Sequence, residues 1–127
     1  MQEKHLYEYA IIRIVPRVER EEFLNVGVIL YAQKPQFLET MYKLDVERLQ
    51  AFSGIMDVDE VEAYLRAFER ICTGGADGGP IGKLDVASRF RWLTAPRSTV
   101  VQTSEVHPGF CVNAKEALLK LFTQLVL

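Results

Sequence analysis

Apolar residues in the first forty-odd positions come in unbroken runs, with little of the alternation that marks a half-exposed strand. The run YEYAIIRIV, residues 7–15, is β-branched and aromatic and stops at Pro16. The run EFLNVGVILYA, residues 22–32, repeats the pattern after the polar link PRVERE. Strands apolar on both sides predict central places in a sheet covered on both faces. FLETMYKL, residues 37–44, is more polar and predicts a third strand, at an edge. The period then changes. DVERLQAFSG predicts a short helix with Asp45 as N-cap and Gly54 just past its end. In DVDEVEAYLRAFERICTGG, Asp57 and Glu60 have capping-box spacing, and Val61, Tyr64, Leu65, Phe68, Ile71 and Cys72 form one helical stripe. The segment LDVASRFRWL fits a helical turn leading into a strand, or a strand alone. STVVQTS predicts a strand and EVHPG a turn. The last segment, NAKEALLKLFTQLVL, predicts a helix capped by Asn113 and Glu116, with Leu118, Leu121, Phe122 and Leu125 as its core stripe.

These elements predict one α+β domain over residues 1–127: a small, mostly antiparallel sheet with helices on at least one face. The glycine-rich stretch 73–82 predicts a flexible loop, not a domain boundary, because the residues beyond it are too few for a second core. At 127 residues, 49% of them apolar and 25% charged, the chain has the makings of an ordinary globular core without disulfide or metal support. The net charge of −2 gives no long-range attraction to nucleic acid or acidic membranes, so binding to either would need a local patch. No apolar run reaches the roughly 18 residues of a membrane span, and the N-terminus lacks a signal-peptide plan, which predicts a cytoplasmic protein without a membrane partner. Two cysteines far apart do not make a disulfide scaffold.

Candidate chemistry is sparse. The stretch GGADGGPIGK ends like a phosphate-binding loop, but Asp77 stands where its first glycine belongs and Leu84 replaces the metal-binding hydroxyl. His5, Cys72, His107 and Cys111 lack the paired spacing of a zinc site, so no metal and no cofactor is assigned. No orienting third group accompanies a His107–Cys111 pair. Two polar residues interrupt the central strands. If the hairpin closes about Glu19, Arg13 and Asn25 lie opposite each other on one face, as a structural network or as the floor of a positive pocket. Gly27, opposite Ile11 in that register, marks a bulge or a close backbone approach.

The segment RFRWLTAPRSTVVQTS, residues 89–104, collects three arginines, two large aromatics, several hydroxyls and no acid. Arg89, Arg91 and Arg97 offer planar donors for phosphate or carboxylate, and Phe90 and Trp92 offer stacking surfaces. In strand geometry Arg89 and Arg91 face one way while Phe90 and Trp92 face the core; a helix would remove that split. A turn at Pro96 presents Arg97 and Ser98. The candidate anion or partner surface is therefore Arg13, Asn25, Arg89, Arg91, Arg97 and Ser98. The alternative is a solvated basic face.

This segment and EFLNVGVILY, together with YAIIRIVP and LLKLFTQLV, resemble the bacterial domain of unknown function 3037 family over most of the chain. The resemblance brings no activity, substrate or cofactor. It implies a protein often encoded beside a kinase-like protein, and so an accessory role with a protein partner. Three readings are open. The first is a non-enzymatic accessory or regulatory protein that binds a partner, with the kinase-like neighbour as candidate. The second is a nucleic-acid-binding module using residues 89–104. The third is an enzyme acting on a phosphorylated or carboxylated substrate, which requires Arg13, Asn25 and residues 89–98 to meet in one cleft. The sequence leaves the oligomeric state open.

Overall fold

Strands β1 (His5–Ile14) and β2 (Leu24–Ala32) form an antiparallel hairpin at the centre of a five-stranded sheet. The computed structural model describes residues 3–54 and 56–127. Strand β3 (Phe37–Tyr42) pairs with β2 and forms one edge, as its polar composition predicts. The other side of β1 carries two short strands end to end. β4 (Val101–Thr103) pairs with Ile12, Arg13 and Ile14, and β5 (His107–Cys111) pairs with residues 5–9. All pairings are antiparallel.

Helices cover both faces. On one lie α1 (Val46–Phe52), α2 (Val58–Thr73) and α4 (Val86–Leu93), which enclose the larger core of Ala10, Ile12, Ile14, Ile29, Leu65 and Phe90 with their neighbours. On the other lies α5 (Ala114–Leu125), whose Leu118 and Phe122 pack on Val28, Leu30 and Ala32. This two-sided cover is what the doubly apolar runs of β1 and β2 require. The caps are those the sequence predicts. Asp45 accepts from the Arg48 N–H, Asp57 from the N–H groups of Asp59 and Glu60, and Asn113 from the Glu116 N–H.

The hairpin holds one irregularity. Arg13 pairs with Asn25, as symmetric closure predicts, but Ile12 pairs with Gly27, leaving Val26 as an extra residue in a bulge. Gly27 therefore faces Ile12, one position from the Ile11 that an unbroken register predicts. The bulge turns Val26 and Gly27 to the same side: Val26 joins the larger core, and a Cβ at Gly27 would lie 3.1 Å from Ile12 Cδ1 of that core. It also returns Asn25 to the α5 face, where its Nδ2 donates to the Leu125 carbonyl at 3.3 Å. The absence of a side chain at Gly27 is steric. A Cβ there would sit 2.7 Å from the Met41 carbonyl oxygen and 2.8 Å from Tyr42 Cβ.

Three segments depart from the sequence expectations. Residues 86–93 are helical, because Val86, Phe90 and Leu93 bring one face to the core at helical spacing and Asp85 stands at the N-cap. The arginine and aromatic faces expected of a strand there do not form. EVHPG is no simple turn, since His107–Cys111 is strand β5. Pro108 fits because Tyr9, Tyr7 and His5 direct their main-chain groups toward β5 and pair with His107, Gly109 and Cys111. The nitrogens of Pro108 and Phe110 thus point away from the ladder. The glycine-rich stretch, expected as a flexible loop without regular structure, winds into a 3-10 turn at Ala76–Gly78 and a four-residue helix, α3 (Gly79–Gly82). The Gly75 N–H donates to the Gly82 carbonyl at 2.8 Å, and a Cβ on Gly82 would lie 2.5 Å from the Gly75 oxygen. Only glycine at 82 permits that closure.

Ser104 joins the two short strands. Its N–H donates to the Ile11 carbonyl at 2.8 Å, and its Oγ accepts from the Ile11 N–H at 2.8 Å. The hydroxyl takes the place of a strand carbonyl where the chain leaves β4, so no main-chain group of Ile11 is buried without a partner.

Candidate partner-binding groove

The arginine-rich segment leaves α4 and turns back toward β4, and its residues separate by role. Phe90 is fully buried and stacks on Tyr31, with ring centroids 5.2 Å apart. Trp92, expected in the core, is 39% exposed. Two positions along a helix amount to a rotation of about 200°, which takes Trp92 off the buried stripe. Arg97 comes back over Trp92. Its guanidinium carbon lies 4.5 Å from the ring centroid, and it also donates to the Trp92 carbonyl.

The other wall is α2. Tyr64, Ala67 and Ile71 form a stripe at helical spacing beside the buried residues, and Tyr64 is 44% exposed. These residues, with Trp92, Arg97 and Val101 of β4, line a groove of about 400 Å³. Its surface is largely apolar, and Arg97 is the one charged residue among the described residues that line it. In sequence, Tyr64 and Ile71 belong to the core stripe of α2. Only the width of that stripe, greater than one sheet face can bury, separates them from Val61 and Leu65.

The remaining candidates are scattered. Arg91 makes a two-pronged ion pair with Glu8 of β1, at 2.7 and 2.8 Å, which satisfies it within the chain. Arg89 is half-buried and donates to the Leu84 carbonyl at 2.9 Å. Ser98 is exposed on the loop. Arg13 lies on the α5 side of the sheet, its guanidinium carbon 3.9 Å from the Phe23 ring centroid. Arg13 and Asn25 are thus brought together by the hairpin, but on the face opposite α4. Arg13, Asn25 and residues 89–98 do not meet in one cleft.

Neither cysteine is activated. Burial pushes the Cys72 thiol up to about 11, against a smaller opposing effect of the Thr40 hydroxyl, which donates to Sγ at 3.1 Å. Burial also raises Cys111. His107 and Cys111 lie on one extended strand four residues apart, roughly 13 Å, too far for a nucleophile and base to share a proton. Among the described residues no group of three or more His, Cys, Asp or Glu side chains is placed to hold a metal ion. No described helix is long and apolar enough to cross a membrane.

The chain belongs to the family described as protein of unknown function (DUF3037), whose profile matches residues 9–126 of the 127. No curated protein matches it, and no solved structure does.

Proposed function

We propose that this family member is a non-enzymatic accessory protein that acts by binding a protein partner, and that the groove between α2 and the end of α4 is the contact surface. The observation that carries the reading is the grouping of Trp92, Tyr64 and Arg97 around an open apolar groove. Tryptophan, tyrosine and arginine are the residues most enriched where binding energy concentrates, and a groove with apolar walls offers a place to desolvate them. The family resemblance implies a kinase-like protein encoded nearby, and such a protein is the first partner to test.

The two other readings have less support. Arg91 is held by Glu8 and Arg89 by a main-chain carbonyl, so the segment offers few free cations to a phosphate backbone. An enzyme built on Arg13, Asn25 and residues 89–98 would need groups that lie on opposite faces of the sheet.

Co-expression with the neighbouring gene product, followed by size-exclusion chromatography and titration of the purified pair, tests the proposal. The expected result is a stable complex that Trp92→Ala and Tyr64→Ala each weaken by about thirtyfold or more. Both side chains are substantially exposed, so these variants should keep the wild-type circular dichroism spectrum. A complex of unchanged affinity in both variants, or no complex, would count decisively against the groove.

A further inference from the structure

We infer that the groove receives an extended segment of the partner, added as a new strand on the free edge of β4. One large apolar side chain of that segment sits between Tyr64 and Trp92, and a carboxylate lies beside Arg97. The inference rests on the proposed role of the groove and names the chemistry of its occupant.

Two independent observations meet at this place. The first is the edge. Val15 N–H donates to the Val100 carbonyl and Ser104 N–H to the Ile11 carbonyl, which fixes the hydrogen-bonding phase of β4 against β1. Antiparallel alternation then directs Gln102 inward and turns the main-chain groups of Val101 and Thr103 away from β1. β4 is the terminal strand on that path of the sheet, so among the described residues no further strand pairs with these groups. The Val101 carbonyl takes a hydrogen bond from Thr99 Oγ1 at 2.7 Å, leaving its second lone pair and the Thr103 groups for an incoming strand. The neighbouring edge is blunted. In β5 one of the two outward positions is held by Pro108, which has no N–H to offer, so Phe110 alone presents one there. β3, at the far side, has α2 and α5 packed against it.

The second observation is the groove itself, which begins at the same residue. Val101 both lines the groove and belongs to the free edge, so a segment paired with β4 has one side chain in every two directed toward Tyr64 and Trp92. Charge selects its neighbour. Arg97 has no carboxylate partner among the described residues, and no carboxylate lines the groove. An aspartate or glutamate on the incoming segment would supply the partner that Arg97 lacks.

The test uses the full chain and a displayed library of random twelve-residue, tryptophan-free peptides, with recovered peptides synthesised and binding followed by the fluorescence of Trp92, the single tryptophan. The expected peptides carry an acidic residue close to a large apolar one. Methylating their backbone nitrogens one at a time should cost at least tenfold at every second position and little between. Thr103→Pro should weaken binding at least tenfold while leaving the thermal midpoint close to wild type, as Pro108 is accommodated on the same sheet. Arg97→Glu should move the preference from acidic to basic peptides. Peptides that depend on Trp92 but ignore both backbone methylation and Thr103→Pro would overturn strand addition and leave the groove standing as the contact surface. A library yielding no Trp92-dependent peptide would also overturn the inference, and the complex with the neighbouring product would then judge the groove alone.

Discussion

Phe90 and Trp92 stand two residues apart and have opposite fates, one fully buried and the other at the lip of a groove. Their chemistry is too alike for composition to separate them; only the local backbone decides. The same holds for Cys72 and Cys111. Cys72 lies on the buried stripe of α2, as its spacing predicts, and burial raises its thiol to about 11 from an ordinary 9. The unfolded chain therefore loses this proton before the folded chain does. The stability that comes from keeping the thiol protonated is complete below pH 9 and is lost as the pH rises toward about 11. Urea unfolding of wild type and Cys72→Ala, compared from pH 7 to pH 10.5, should show the wild type losing ground to the variant above pH 9. A difference that stays constant over that range would mean that the thiol is not buried as described. Cys111, half-exposed, should react with a thiol reagent in the native protein before Cys72 does.

Among the elements, the sequence was most legible where period and caps agree. Helices α1, α2 and α5 begin at the Asp and Asn residues that their spacing nominates, and β1 pairs with β2 so that Arg13 meets Asn25. It was least legible where two periods fit the same letters. RFRW alternates arginine with aromatic like a strand, while Val86, Phe90 and Leu93 four and three residues apart fit a helix; the second pattern prevails because only it seals the core above Tyr31. HPG carries the composition of a turn, and its strand character depends on which way one nitrogen points, a property of the partner strand and not of the segment. The hairpin yields a sharp expectation. Gly27→Ala forces a methyl group against the Met41 carbonyl and Tyr42 Cβ, and should cost about 2 kcal/mol. Its effect on the midpoint of chemical unfolding measures this. A loss below about 0.5 kcal/mol, the range of ordinary surface changes, would show that β2 and β3 lie farther apart than described.

For the molecule as a whole, one sheet serves two cores. The larger lies under α1, α2 and α4, the smaller under α5, and β1 and β2 contribute alternate residues to both. Neither core can be lost without stripping one face of the same strands, so the chain should unfold in a single step. Trp92 reports on the α4 side, while far-ultraviolet circular dichroism reports on all helices, α5 included. Their urea transitions should superimpose, and a separate, earlier transition in either signal would show that α5 docks independently of the rest. The two-sided cover was readable in advance from the doubly apolar strands. The groove was not, since it arises where an over-wide helical stripe meets a loop whose course depends on β4 reaching β1.

The bulge at Val26 has a consequence of another kind. A strand is written in a two-letter alphabet, inside and outside, and one supernumerary residue shifts the frame of everything before it. Val28, Leu30 and Ala32 are spelled for the α5 side, whereas Leu24, of the same even number, is spelled for the other. Deleting Val26 would restore a continuous frame and leave Leu24 and Asn25 at their present addresses, whereas keeping the residue and flattening the bulge would exchange them, sending an amide into the larger core and a leucine to the carbonyl end of α5. Relatives that lack the extra residue should therefore keep the same order at these two sites, apolar first and polar second, with the polar residue directly before the glycine. That shortened spacing can be read from aligned letters alone.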